Sequence, residues 1–169
     1  MSEGKPLAIL AGVRLVAFDV DGVFTDGRFY LSNDGVESKA FSTQDGFGVR
    51  RLLAAGIEVA VISGRTSAAV RLRMEELGVR HVVQGCSDKI AAFDSMIAKL
   101  GIAPAECAYV GDDVPDLPLL ARVGVSFAVA NAVSEVRQHC DYVTHARGGF
   151  GAVREVCDLL LNGRQRAAT

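Results

Sequence analysis

The sequence predicts one α/β domain with a doubly wound parallel sheet, covered by helices on both faces. Half of the 169 residues are hydrophobic, as is usual for a sheet that is buried on both sides. Short apolar runs rich in β-branched residues alternate with segments of helical length, which is the pattern of parallel strands joined by helical crossovers. Because this length supports a single good core, we expect one domain over residues 1–169.

Five apolar runs are predicted as buried strands, at 14–19, 57–63, 80–84, 107–112 and 125–130. Helices are predicted between and after these strands, at 46–55, 66–77, 87–100, 115–123, 133–139 and about 150–161. Residues 27–41 break the alternation, because they resemble two short strands about the turn Ser32-Asn33-Asp34-Gly35, an Asn-Asp-Gly hairpin signal. We therefore expect a β-hairpin flap between the first strand and the first helix.

Composition favours a cytoplasmic protein that binds neither nucleic acid nor membrane. The formal net charge is only −2, which gives no global attraction to polyanions. The four cysteines have no CxxC spacing, so reduced thiols are expected rather than a zinc site or disulfides. The segment 1–16 has a brief apolar run broken by Arg14, which is too short for a membrane span and a poor signal peptide.

Polar side chains follow the predicted strands at the edge where parallel sheets bind ligands. Asp19 ends the first strand and Asp21 follows it, although an unpaired buried carboxylate costs several kcal/mol. The other strand ends carry the remaining polar candidates, which are Ser63, Gly64, Arg65, Lys89, Asp112, Asp113 and Asp116. Each has a plain structural explanation, such as a solvated lysine or a helix cap. Their joint occurrence at one sheet edge favours a functional site.

Phosphoryl transfer is the chemistry that uses all of these groups. Asp19, Asp21 and Asp112 supply hard oxygen ligands suited to Mg²⁺, which also bridges to phosphate. With Lys89, the metal would neutralise the phosphate so that Asp19 could attack phosphorus and form an aspartyl-phosphate. Asp21 is close enough in sequence to protonate the leaving alcohol and then deprotonate water. Ser63 and nearby N–H groups would hold the phosphate oxygens.

The segments DVDGVFTDG, SGR, Lys89 and GDDVPD resemble, in order and spacing, the four motifs of the haloacid dehalogenase-like phosphatases. The resemblance implies a Rossmann-like fold, with Asp19 as nucleophile and Asp21 as general acid and base. It also implies that Asp112 is a metal ligand supported by Asp113 and Asp116, and that Asp21 offers the metal its backbone carbonyl.

A narrower resemblance covers nearly the whole chain, through DVDGVFTDG, the NDG hairpin, FSTQDGFGVR, SGR, QGCSDK, YVGDDVPDLP and RGGFGAVREVCDLLL. These segments are similar to the 3-deoxy-D-manno-octulosonate 8-phosphate phosphatases, a family without a cap domain. Membership would imply a Mg²⁺-dependent homotetramer that removes phosphate from an eight-carbon sugar acid during lipopolysaccharide synthesis. The implied substrate contacts are Asp21, Ser42, Thr43, Gln44, Asp45, Gly46, Arg50, Gly64, Arg65, Arg73 and Lys89. The resemblance implies VRDG at residues 43–46, where this chain has Thr43-Gln44-Asp45-Gly46.

The residues themselves support part of that contact set. A sugar acid carries a carboxylate, which suits the fork of an arginine better than a lysine. Arg65 follows the predicted phosphate-binding strand end and is the natural candidate. Arg50 and Arg73 lie in helical stretches rich in other cations, so without the resemblance they would be interpreted as solvated surface.

Three alternatives remain open from the sequence. A sibling phosphatase for a nine-carbon ketodeoxy acid shares the fold, but tends to carry an acidic residue at the position of Arg65. A receiver-like signalling domain also joins acidic residues, a hydroxyl and a lysine, although its acidic motifs come in another order. A catalytically inactive scaffold is the third, and here no motif residue is missing.

The hairpin suggests self-assembly, because an isolated two-stranded ribbon is only marginally stable. Phe29, Leu31 and Val36 give it an apolar register, and pairing with other copies would bury that surface in closed symmetry. The family resemblance further suggests that the glycine-rich segment RGGFGAVRE (147–155) reaches an adjoining subunit's site.

Overall fold

The computed structural model of the chain describes residues 7–167. The predicted single domain covers 1–169, so residues 1–6 and 168–169 of it lie outside the described part of the chain. The first part of the predicted N-terminal segment, 1–16, lies outside it as well. All four cysteines are free, as predicted. Among the described helices, none combines the length and apolar character that crossing a bilayer requires.

Residues 7–167 contain eight strands, and six of them form one parallel sheet. In chain order they are β1 (Leu15–Phe18), β2 (Tyr30–Leu31), β3 (Glu37–Ser38), β4 (Glu58–Ile62), β5 (His81–Val83), β6 (Cys107–Gly111), β7 (Val125–Ala128) and β8 (Tyr142–Val143). The sheet has the order β5-β4-β1-β6-β7-β8, with every pair parallel, while β2 and β3 form the separate hairpin. The predicted doubly wound sheet and hairpin flap are confirmed.

The described part of the chain also contains seven α-helices: α1 (Leu7–Ala11), α2 (Thr43–Ala54), α3 (Ala68–Leu77), α4 (Lys89–Leu100), α5 (Leu117–Leu120), α6 (Ser134–His139) and α7 (Ala152–Ala167). They form two groups, because α7 packs on α1 and α2, whereas α5 packs on α4 and α6. The central strands β1 and β6 are buried at every residue. Both faces of the sheet are therefore covered, which explains the continuous apolar runs in the sequence.

The topology places a ligand crevice at the carboxyl end of β1. From β1 the chain first adds β4 and β5 on one side and then crosses to add β6, β7 and β8 on the other. The sheet therefore reverses its winding at β1, and ligands bind at such a switch point. Phe18 pairs with Val61 and Val110, so the residues that follow these three strands lie at one level.

The boundaries differ from the predicted ones for local reasons. Helix α2 begins at Thr43 rather than residue 46, because the Ser42 hydroxyl caps it by accepting the Asp45 N–H. The predicted helix 115–123 is a 3₁₀ turn (Val114–Asp116) followed by the short α5, since Pro115 and Pro118 supply no N–H groups. Helix α7 continues to Ala167, and the prediction omitted α1 and β8.

Candidate active site

A cavity of about 330 Å³ lies at the carboxyl edge of the sheet, around the end of β1. It gathers nine of the predicted site residues from four different connections of the chain. These are Asp19, Asp21, Ser63, Gly64, Arg65, Lys89, Asp112, Asp113 and Asp116. Residues that are far apart in sequence therefore meet because they follow neighbouring parallel strands.

Lys89 is the cation of this cavity and is not a solvated surface lysine. Asp88 caps α4, so Lys89 occupies the first helical position, with only 12 % of its side chain exposed. Its ammonium lies 2.8 Å from Oδ1 of Asp116 and 3.1 Å from Oδ1 of Asp19. Burial alone would lower the pKa of Lys89, but the two carboxylates raise it above its usual value. The side chain is therefore held as a cation next to Asp19.

Asp116 holds neighbouring groups of the cavity in place through hydrogen bonds. Its side chain is 1 % exposed, and Oδ1 accepts hydrogen bonds from Lys89 and, at 2.7 Å, from the hydroxyl of Tyr109. Oδ2 accepts the N–H groups of Asp112 at 3.0 Å and Asp113 at 3.2 Å. Both oxygens are thus engaged, and Asp116 fixes the Asp112 backbone and the Lys89 ammonium. This agrees with the supporting role expected of it.

The acidic residues fit a divalent cation. Carboxylate oxygens of Asp19, Asp112 and Asp116 lie within 4.8 Å of one another, and Asp116 is already engaged by protein donors. Oδ1 of Asp112 is buried with no hydrogen-bond partner among the described residues. Burial and the neighbouring carboxylates raise the pKa of Asp112 to about 8, and burial followed by the charge of Asp116 raises the pKa of Asp19 to about 6. Oδ1 of Asp112 therefore lacks a positive partner among the described residues, and such a hard oxygen is a donor that Mg²⁺ takes.

Ser63 follows β4 as a buried residue and is not a helix cap. It is 3 % exposed, and its hydroxyl accepts the N–H of Arg65 at 3.3 Å. The cap of α3 is Ser67, which accepts the N–H of Val70. The capping explanation for Ser63 is therefore wrong, and its hydroxyl lines the cavity with Gly64.

The hairpin brings two side chains to the cavity that the sequence analysis did not identify. Lys39 forms an ion pair with Asp21, and Glu37 forms one with Arg65. β3 ends at Ser38. The only sequence signal is that Glu37 and Lys39 are two residues apart, which places them on one face where the chain is extended. That pattern is too common to indicate a site by itself.

Four of the other predicted substrate residues line a second cavity, of about 230 Å³. They are Thr43, Gly46, Arg50 and Arg73, and the two cavities share no lining residue. A single chain therefore does not bring these residues to Asp19.

The arginines of the second cavity are held in place rather than freely solvated. Arg73 is 16 % exposed; it pairs with the Glu76 carboxylate at 2.8 Å and donates to the Ser42 carbonyl at 3.4 Å. Arg50 donates to the Glu76 carbonyl at 3.0 Å. A Cβ on Gly46 would lie 2.3 Å from Nη2 of Arg73, so only glycine allows this packing.

The Asp45 side chain is engaged within its own chain. Asp45 is 1 % exposed, and its oxygens accept the N–H groups of Arg154 at 2.8 Å and Gly151 at 3.4 Å. Its carboxylate thus caps the start of α7 and ties it to α2. Gln44, by contrast, is exposed on the first turn of α2.

The glycine-rich segment packs on its own chain. A Cβ on Gly148 would lie 1.6 Å from the carbonyl oxygen of Gly22, and the Gly149 N–H donates to Val23 at 3.0 Å. These glycines therefore cover the turn that follows β1. Contact of this segment with an adjoining subunit's site stays a prediction. Phe150 of the same segment is 69 % exposed.

Comparisons with known proteins agree on one family. The profile of the haloacid dehalogenase-like hydrolases matches residues 81–153. A 3-deoxy-D-manno-octulosonate 8-phosphate phosphatase of Salmonella typhi is 52 % identical over 88 % of this chain and 79 % of its own length. Among solved structures, the phosphatase of that name from Yersinia pestis superposes with a TM-score of 0.93 at 44 % identity, over 96 % of this chain and 88 % of the other.

A third relative contains bound ligands. The phosphatase of the same name from Moraxella catarrhalis, solved with magnesium, phosphate and KDO, superposes with a TM-score of 0.92 at 42 % identity. The match covers 95 % of this chain and 92 % of that one.

Proposed function

The chain belongs to the 3-deoxy-D-manno-octulosonate 8-phosphate phosphatases, a family of haloacid dehalogenase-like hydrolases, and we propose that the cavity around Asp19 is where it acts. Its reaction is the Mg²⁺-dependent hydrolysis of that sugar acid phosphate to the free acid and inorganic phosphate, a step of lipopolysaccharide precursor synthesis. The nine-carbon and signalling alternatives are not favoured, because the relatives are named for the eight-carbon substrate.

The assignment depends on the groups that surround Asp19. This carboxylate lies 3.1 Å from the Lys89 ammonium and close to the buried, unpartnered oxygen of Asp112. A nucleophilic carboxylate can approach a phosphate dianion only where positive charge neutralises both. Asp19, Asp112 and the Asp21 backbone carbonyl would hold the Mg²⁺, which supplies that neutralisation and binds a phosphate oxygen.

The reaction proceeds in two displacements at phosphorus. In the first, an Asp19 oxygen bonds to phosphorus as the ester P–O bond breaks, and Asp21 donates its proton to the departing alkoxide. In the second, Asp21 takes a proton from water as the water oxygen bonds to phosphorus and the aspartyl P–O bond breaks. Lys89, Ser63 and the Gly64 backbone hold the phosphate oxygens during both steps.

The substrate carboxylate is assigned to Arg65. Its guanidinium lines the same cavity as Asp19 and offers the planar fork that matches a carboxylate. Arg50, Arg73 and the start of α2 lie in the second cavity, so we propose that they reach substrate from a neighbouring copy. This requires an oligomer, and the exposed hairpin residues Tyr30 and Leu31, at 67 % and 64 %, support a homotetramer.

The cytoplasm is the proposed location, supported by the four free cysteines. Release of inorganic phosphate from 3-deoxy-D-manno-octulosonate 8-phosphate, with Mg²⁺ or with EDTA, tests the function. We expect turnover only with Mg²⁺, and a lower kcat/KM on the nine-carbon analogue. Stable phosphorylation of the protein without phosphate release would instead indicate the signalling alternative.

A further inference from the structure

Four charged side chains form a closed ring where the hairpin meets the cavity. Asp21 pairs with Lys39 through Oδ1 and lies 3.8 Å from Nε of Arg65 through Oδ2. Glu37 lies 3.0 Å from Nη2 of Arg65 and 3.8 Å from Nζ of Lys39. Two anions and two cations therefore alternate around the ring. Two come from the catalytic edge, Asp21 and Arg65, and two come from the hairpin.

The ring is firmly held. The Lys39 side chain is fully buried, and the Asp21 and Glu37 side chains are 22 % and 20 % exposed. The Glu37 carboxylate also accepts a hydrogen bond from Ser67 at 2.5 Å, which joins the hairpin to the first turn of α3. Surface ion pairs contribute little, but hydrogen-bonded pairs shielded from water fix geometry much better.

The face of the hairpin that carries the ring also stacks on Arg65. Leu31 pairs with Glu37, and Tyr30 with Ser38, so extending the register by one residue places Phe29 opposite Lys39. The Phe29 ring centroid lies 4.1 Å from Cζ of Arg65, a cation–π distance. Phe29 therefore contacts the cavity arginine in its own chain, in addition to any contact with other copies.

We propose that Lys39 and Glu37 are positioning residues for the phosphatase reaction. Lys39 holds the Asp21 carboxylate in the direction from which it exchanges protons, and Glu37 holds the Arg65 guanidinium where it meets the substrate carboxylate. The proposal rests on the proposed function. It gives the hairpin a direct part in catalysis and specificity, beyond any part in assembly.

The physical reason is that both partners need a fixed direction. Proton transfer requires a donor within hydrogen-bond reach of the leaving oxygen, and displacement of a reacting group by about 1 Å can cost about 10²-fold in rate. Asp21 follows the strand end rather than lying within the strand, and Arg65 is half exposed, at 49 %. Neither would be fixed by sheet packing alone, so the hairpin supplies the missing constraint.

Comparison of kcat/KM on three substrates distinguishes the role of Lys39 from that of Glu37. One is the sugar acid phosphate, the second is a pentose 5-phosphate, which lacks the carboxylate, and the third is p-nitrophenyl phosphate. The value of kcat/KM reports steps through departure of the first product, and p-nitrophenolate is stable enough to leave without a proton. A proton donor therefore matters for the two alkyl phosphates only, and the carboxylate contact matters for the sugar acid only.

Lys39→Met tests the first assignment. We expect kcat/KM to fall about 10–100-fold more on both alkyl phosphates than on p-nitrophenyl phosphate, within the range of general acid catalysis. Glu37→Gln tests the second, and should lower kcat/KM about 10-fold or more on the sugar acid phosphate alone, as expected for a displaced charge-assisted pair. Because each comparison is a ratio within one preparation, a smaller folded fraction cancels from it.

Matched controls lie on the same hairpin, outside the ring. Arg28→Met and Asp34→Asn change exposed charges there, and both should keep the wild-type substrate ratios. Lys39→Arg keeps a cation and should retain more of the alkyl-to-aryl ratio of kcat/KM than Lys39→Met. If Lys39→Met has no activity, the ratio of Lys39→Arg is compared with that of the wild type. An equal loss on all three substrates in both ring variants would mean that the ring only stabilises the fold, and the proposal would fail. Failure of the proposed function itself would appear separately, as no sugar acid phosphate turnover by the wild type.

Discussion

Oδ1 of Asp116 lies 2.8 Å from the Lys89 ammonium, and the two side chains are 1 % and 12 % exposed. Removing Asp116 takes away one of the two anionic partners of Lys89 and the acceptor of the Tyr109 hydroxyl and two backbone N–H groups. Breaking such a buried network costs about 3–5 kcal/mol. Asp116→Ala should therefore lower the free energy of unfolding by about that amount, and should also lower kcat because Lys89 and the Asp112 backbone lose their brace. Urea unfolding and phosphate release measure the two effects.

Asp94→Asn is the matched control for that change. Asp94 pairs with Arg122 at 3.2 Å, but both side chains are 40 % or more exposed, and such pairs contribute about 0–1 kcal/mol. A loss from Asp116→Ala no larger than that from Asp94→Asn would contradict the bracing role.

The nucleophile can be removed with little change in shape. Asp19→Asn should reduce turnover by at least about 10⁴-fold, the scale of loss when a nucleophile is deleted, because an amide cannot form the acyl phosphate. The fold should survive, since burial and the charge of Asp116 already raise the pKa of Asp19 to about 6. Phosphate release and far-UV circular dichroism check both outcomes, with the exposed Asp26→Asn as control. Activity of Asp19→Asn near that of the wild type would refute the covalent mechanism.

The acidic cluster should make the stability of the metal-free protein depend on pH. Burial and nearby carboxylates raise the pKa of Asp112 to about 8 and that of Asp19 to about 6, against about 3.9 in an unfolded chain. The folded state then binds more protons, so the free energy of unfolding falls as pH rises from about 4 to about 8, by up to about 1.4 kcal/mol per pH unit for each group.

Magnesium should reverse this loss, because it binds the deprotonated carboxylates. In thermal melts, the Tm with Mg²⁺ minus the Tm with EDTA should be larger at pH 8 than at pH 5. Asp112→Asn should flatten the pH dependence in EDTA and reduce the Mg²⁺ shift. An equal Mg²⁺ shift at both pH values would argue against metal binding at this cluster.

The strands and the polar groups that follow them could be predicted because both are marked by local sequence. Continuous apolar runs mark buried parallel strands, and the carboxyl ends of such strands meet at one edge. Asp19, Ser63 and Asp112 follow such strands, as the sequence predicts. The supporting role of Asp116 is implied by the family resemblance, and its four hydrogen bonds are seen only in the structure.

Contacts between segments without a periodic pattern could not be predicted. Lys39 meets Asp21 because the hairpin folds back over the cavity, and no spacing in the sequence specifies that direction. The resemblance implies a substrate contact at Asp45, and nothing in the sequence indicates that its carboxylate caps a helix more than 100 residues later. Arg73 was assigned to the substrate by resemblance, and the structure places it in a different cavity from Asp19.

Arg65 should control specificity more than chemistry. A charge-assisted pair shielded from water contributes about 2–5 kcal/mol to binding. Because Arg65 is half exposed, we expect a contribution near the lower value of that range. Arg65→Ala should therefore raise KM for the sugar acid phosphate by about 10–100-fold, with a much smaller change on p-nitrophenyl phosphate. Arg71→Ala, which removes an exposed i,i+4 ion pair on α3, should change neither. Equal losses on both substrates would assign Arg65 to the phosphate or to the fold.

The Asp19 cavity and the Arg73 cavity share no lining residue, so the proposed assembly can be tested by mixing variants of the two. If Arg73 serves the site of a neighbouring subunit, Asp19→Asn and Arg73→Ala should complement each other in mixed oligomers. A site that needs its own Asp19 and one neighbour's Arg73 is intact in about one quarter of random combinations. Subunits of the two variants, dissociated and reassembled together, should therefore recover about a quarter of wild-type sugar acid phosphate turnover.

The control mixes Asp19→Asn with Asp112→Asn, whose lost groups lie in the same cavity. No combination of those subunits restores a whole site, so no recovery is expected. Light scattering should find a tetramer in the wild type and in each mixture, and removal of residues 28–39 should break the tetramer and depress turnover. A monomer with full activity at assay concentration, or absence of complementation in confirmed mixed tetramers, would show that Arg73 does not serve a neighbouring site.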